Sequence, residues 1–132
     1  MIVIDASVLV DALTDDTETG EAAAAALRAD DQWAGPDHLV LETAAAIRGR
    51  WLGGKIDDER AVAALRSLRL AEIVRVDTAV LLDRVWELRA NLTAYDAAYV
   101  AAAEALGVAL LTGDQRLAAA PGRHCAIMTP TT

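Results

Sequence analysis

Hydrophobic and polar positions fall in blocks along this chain, short aliphatic runs followed by longer stretches with one polar face. Ile2, Val3 and Ile4 form a β-branched run, the signal of a buried strand, and Asp5 closes it. Residues 7–13 read as an apolar helical turn or two, the polar residues 14–20 as a loop, and residues 21–28 as a helix by propensity. Residues 32–34 read as a short strand closed by Gly35 and Pro36. Pro36 suits the first turn of a helix that runs to about Trp51 and ends at Gly53 and Gly54. Asp57, Asp58 and Glu59 place negative charge at the start of the next helix, which carries Val62, Leu65 and Leu68. Residues 72–76 alternate like a strand and residues 78–90 read as helix. Residues 93–106 predict an Ala-rich helix stopped by Gly107. A second aliphatic strand follows at 108–111, a short helix at 114–119, and an edge strand at 125–128.

Strands alternating with helices predict an α/β fold, a central parallel sheet of about five short strands flanked by helices on both faces. No linker, internal repeat or Pro/Ser-rich stretch divides the 132 residues, so the reading is a single domain over 1–132, long enough to bury its own core. In such sheets, sites form beyond the carboxyl ends of the strands. Asp5 and Asp114 both follow a predicted strand.

Composition narrows the function. Hydrophobic residues make up 55% of the chain, Phe is absent and Ala is abundant, which favours helices packed closely on the sheet. The net charge of −8 argues against loose, non-specific nucleic-acid binding. The charge is uneven, however. Residues 46–76 hold seven basic side chains against four acidic ones, which leaves room for a local basic face or for a merely solvated helical surface. One cysteine, Cys125, excludes an internal disulfide and agrees with a cytoplasmic setting. The start has no basic leader-like segment, and no apolar run approaches the ~20 residues that span a bilayer, so a soluble protein without a membrane partner is expected.

The chemistry rests on carboxylates. Taken singly, Asp5 and Asp114 read as helix caps, Asp96 as part of a capping box opened by Thr93, and Glu42 as a helix-surface residue with unusually apolar neighbours. Taken together, two acids end strands, one opens a helix and one lies on a helix. A parallel sheet can bring these positions to one edge, where uncompensated carboxylates repel. A hard divalent cation, Mg2+ or Mn2+, with all-oxygen coordination would resolve that repulsion and activate water against a phosphate. Only two histidines are present, with no paired Cys/His spacing, so a zinc site is not expected. Phosphate-binding glycine loops and a Gly-flanked nucleophilic serine are also missing. An aspartyl-phosphate phosphatase would need Asp at position 7, where Ser7 stands.

The segments MIVIDASVLVDAL, LETAAAIR, NLTAYDAAYVAAAEALG and ALLTGDQRLAAAPG, in this order, resemble the successive motifs of PIN-domain proteins, in particular VapC-type toxins. The resemblance implies a metal-dependent endoribonuclease with Asp5, Glu42, Asp96 and Asp114 as its acidic metal site and Ser7 and Thr112 as supporting hydroxyls. Gly113 departs from the pattern, since a Thr or Ser is frequent there. The resemblance also implies an RNA substrate, a homodimer, and inhibition by a cognate VapB-type antitoxin. Arg48 and Arg50 are candidates for contact with the RNA backbone. A catalytically inactive PIN scaffold for protein or RNA binding is the alternative. Tyr99, Trp33, Trp51 and Trp86 are expected in the core or an interface, and Tyr95 is a candidate for base stacking.

Overall fold

The computed structural model describes residues 1–131. A five-stranded, all-parallel sheet runs in the order β3-β2-β1-β4-β5. The strands are β1 (Ile2–Ile4), β2 (Trp33–Pro36), β3 (Ile73–Val76), β4 (Leu110–Leu111) and β5 (Ile127–Met128). Ile2, Val3 and Ile4 are all buried although successive side chains point to opposite faces, so both faces of the central strand are covered. The helices are α1 (Ala6–Thr14), α2 (Glu18–Arg28), α3 (Leu39–Leu52), α4 (Asp58–Leu70), α5 (Leu82–Glu87), α6 (Ala94–Leu106) and α7 (Gln115–Ala118). A 3-10 turn at Thr78–Leu81 leads into α5.

Local chemistry explains most boundaries. Asp5 caps α1, Asp57 caps α4, Thr93 caps α6 and Asp114 caps α7. Gly107 ends α6 in the left-handed conformation at φ 67°, where a side chain would be strained. α6 packs against β1, β2 and β4, and Ala97, Ala98, Ala101, Ala102 and Ala103 along it are buried. Small side chains there let the helix lie close to the sheet, so its first turn reaches the ends of the strands. Tyr99 is the one bulky exception and is fully buried, as expected from sequence.

Several boundaries differ from the sequence expectation. Pro36 is not in a helix. It is the last residue of β2, in register with Val76, and α3 begins three residues later after a turn. The β1 ladder with β2 stops at Ala34, so the missing N–H of Pro36 breaks no bond to β1. The polar stretch 14–20 is shorter as a loop than expected, because α2 starts at Glu18. Gly20 packs so tightly on the end of α1 that an added Cβ would lie 1.7 Å from the Asp15 carbonyl oxygen. The helix expected over 78–90 divides into the 3-10 turn and α5. Trp86 is exposed, with the Arg89 guanidinium over its ring, and Trp51 is also exposed; Trp33 is half-buried and donates to the Leu27 carbonyl.

Candidate active site

In the strand order β3-β2-β1-β4-β5 the chain reverses its direction of winding between β1 and β4. That reversal opens a crevice at the carboxyl ends of these two strands. Asp5 leaves β1 there, and Thr112, Gly113 and Asp114 leave β4 beside it. Hydrogen bonds join the two exits. The Asp5 amide donates to the Leu111 carbonyl, and Asp5 Oδ2 accepts from Thr112 Oγ1 at 2.7 Å and from Ser7 Oγ at 3.0 Å. Thr112 Oγ1 accepts from the Asp114 amide, and Ser7 Oγ accepts from the Gly113 amide, each at 3.0 Å. The hydroxyls of Ser7 and Thr112 thus orient the Asp5 carboxylate and hold the second loop against the first. At position 113 the backbone amide makes the connecting contact. A Cβ there would meet Ser7 Oγ at 3.5 Å and Asp11 Oδ2 at 3.8 Å, ordinary contact distances.

Asp5 is 4% exposed, and no basic side chain is among its hydrogen-bond partners. Burial holds its carboxyl above the ordinary aspartate value. The bonds from Thr112 and Ser7 oppose that shift, and the nearby charge of Glu42 adds to it.

Glu42 and Asp96 lie on the helices α3 and α6, and Asp114 in the turn between β4 and α7. Glu42, half-buried on α3, lines one groove with His38, Leu41, Ala45, Thr93, Tyr95 and Asp96. Asp96 lies in the first turn of α6. Thr93 receives its amide proton, while its carboxylate turns to Arg116 instead of back to the cap. The buried Tyr99 hydroxyl is kept protonated first by desolvation and then by the charges of Glu42, Asp5 and Asp96, so three of the four acids act on one phenol. Asp114 lies across from Asp96. One Arg116 nitrogen is 2.6 Å from Asp96 Oδ2 and 3.4 Å from Asp114 Oδ2.

Two further side chains belong to this region and were missed from sequence. His38 Nε2 lies 3.3 Å from Glu42 Oε2 without hydrogen-bond alignment, and its ring meets Tyr95 and Tyr99 edge-on. Arg116 bridges two acids. Its signal was its place two residues after Asp114, where the turn into α7 points it back at the site. Of the two arginines suggested for RNA contact, Arg50 is engaged within the fold. It pairs with Asp11 and donates to Thr14, tying α3 to α1, whereas Arg48 is exposed.

Among the described residues, no three His, Cys, Asp or Glu side chains stand in the geometry of a formed cation site. The donor set nevertheless fits a hard divalent cation. It is all oxygen, it contains a buried aspartate whose anion has no cationic partner, and a positive centre already bridges two of its members.

The chain is similar to known proteins over nearly its whole length. The family model described as "PIN domain" matches residues 2–123. Ribonuclease VapC1 of Mycobacterium tuberculosis is 42% identical over 130 residues, covering 95% of this chain and 94% of that protein. Ribonuclease VapC9 of the same species is 38% identical over 128 residues, covering 96% of each chain. A toxin–antitoxin complex from Klebsiella pneumoniae superposes with a TM-score of 0.66 at 21% identity, over 99% of this chain and 98% of that one.

Proposed function

The chain belongs to the PIN-domain family, and from that premise we propose that it is the endoribonuclease toxin of a VapBC-type pair, acting on RNA with Mg2+ or Mn2+. Asp5, Glu42, Asp96 and Asp114 would hold the cation. When bound, it would lower the pKa of a coordinated water and neutralise charge on the scissile phosphate. The observation that supports this reading is Asp5, a buried carboxylate without a cationic partner at the crevice, whose charge acts with those of Glu42 and Asp96 on Tyr99, while Asp114 shares Arg116 with Asp96.

The protein's own groups have separate tasks. Ser7 and Thr112 fix the Asp5 carboxylate so that Oδ2 is satisfied within the protein, while Oδ1 receives only the long 3.5 Å contact from the Ser7 amide. Oδ1 is therefore the oxygen available for a ligand. Tyr99 is buried and held as the neutral phenol, so it adds no negative charge to that of the acids. Exposed Tyr95 at the mouth offers a face on which a base can stack, and Arg48 offers a charge for the backbone.

Two apolar surfaces support the assembly part of the reading. Leu41 and Leu82 are exposed around one groove next to the acids, and a second copy of the chain would cover them. Trp51, Val62 and Leu65 are exposed along the α3–α4 groove, which suits the apolar side chains of an antitoxin segment. An arginine from that segment would match the acidic pocket. No helix among the described residues is long and apolar enough to cross a membrane.

The test is cleavage of RNA by purified protein with Mg2+ or Mn2+, with and without EDTA. Cleavage that the chelator abolishes and Asp114→Asn reduces by orders of magnitude is expected. Chelator-resistant cleavage overturns the mechanism.

A further inference from the structure

Arg116 is unlike the other arginines of this fold in where it ends. Arg50 and Arg84 pair with acids away from the crevice and join elements: Arg50 joins α3 to α1 through Asp11, and Arg84 joins α5 to α6 through Glu104. Arg116 instead reaches back from the first turn of α7 into the site, and a single one of its nitrogens contacts one oxygen each of Asp96 and Asp114. A lone positive centre between two carboxylates does electrostatically what a bridging cation does. The side chain is 61% exposed, so the contact is held by charge and little else and can be released into solvent without leaving a buried orphan.

We propose that Arg116 is a built-in counter-cation that competes with the divalent metal for Asp96 and Asp114. The proposal rests on the metal-site reading above. Without metal, the guanidinium relieves repulsion between the two acids and keeps their carboxylates turned towards α7. A cation bound at Oδ2 of both acids takes the place of the guanidinium, because two positive centres repel strongly at such distances. The device lowers metal affinity and makes the metal-free enzyme stable, so that occupancy follows the free cation concentration.

Mn2+ binding to the full-length chain, measured by calorimetry and by thermal melts in EDTA and in Mn2+, tests this without reference to activity. Arg116→Gln removes the competitor, so its Mn2+ Kd should fall by roughly fivefold or more, the scale of two weak exposed ion pairs. Its melting temperature in EDTA should drop, and its rise on adding Mn2+ should exceed the parent's. Arg116→Lys keeps the charge and should bind Mn2+ within about threefold of the parent. Arg116→Ala is a second neutral variant and should behave as Gln does. Asp96→Asn reports on the site itself. If the parent binds Mn2+, Asp96→Asn weakens it, and both neutral Arg116 variants bind no more tightly than the parent, the competition is refuted while the metal site stands. Tightening by Lys as large as by Gln also refutes it. If neither the parent nor the Arg116 variants bind Mn2+, the metal-site reading fails and the competition with it.

Discussion

Replacing Asp5 by Asn should stabilise the metal-free protein and destabilise it relative to the parent once metal is present. Burial raises the folded-state pKa of Asp5, so the native state holds this proton more tightly than the unfolded chain does. As pH rises past the ordinary aspartate value of about 3.9, the unfolded carboxyl ionises first, and native stability falls until the folded carboxyl has ionised too. Each unit of upward shift costs about 1.4 kcal/mol at neutral pH. Asn has no proton to lose, so this loss is absent. Its carbonyl can take the position of Oδ2 and still accept from Ser7 and Thr112. The remaining contact, from the Ser7 amide, is 3.5 Å long and contributes little. Weakening of two charge-assisted bonds to neutral ones offsets part of the gain. The net expectation in EDTA at pH 7 is a gain on the order of 1 kcal/mol, shrinking as pH is lowered towards 4. With Mn2+ at 100 times its Kd the parent gains about 2.7 kcal/mol and the variant only a fraction of that, so the order reverses. Urea unfolding of both proteins from pH 4 to pH 8, with EDTA and with Mn2+, reads all of this. If Asp5→Asn is less stable than the parent in EDTA at pH 7, the charge is favourably held in the fold and the argument from burial is wrong.

Gly113→Ser should fold with stability within about 0.5 kcal/mol of the parent, since its Cβ has ordinary contact space; a melt lowered by several degrees would show that the turn cannot hold a side chain. Arg50→Met should destabilise by roughly 1–3 kcal/mol, because it strands half-buried Asp11 and unties α3 from α1, yet leave RNA cleavage by the folded fraction intact; a large loss of cleavage at unchanged stability would instead make Arg50 an RNA contact. The chain should be dimeric at micromolar concentration by light scattering, and Leu82→Asp should shift it to monomer; a monomeric parent sinks the reading of the apolar groove.

The sequence alone determined the features that depend on neighbouring residues. The β-branched run before Asp5, the Thr93 cap, the left-handed stop at Gly107 and the alternation of strands with helices follow from local sterics and hydrogen bonding, which neighbouring residues decide. Those features also placed Asp5 and Asp114 after strands. Pro36 shows the limit of local reading. It is as acceptable at a strand end as in a helix's first turn, and only pairing with β3 decided between them. Gly20 likewise owes its place to the end of α1. The acids were legible as candidates, but their surroundings were not. That Asp5 is buried with no basic hydrogen-bond partner, that the charges of three carboxylates reach Tyr99, and that Arg116 bridges Asp96 and Asp114 while Arg50 turns away to Asp11 depend on the strand order and on how close α6 lies to the sheet. Charge interactions are set by distances through space and by burial, and neither is written in the spacing of residues along a chain.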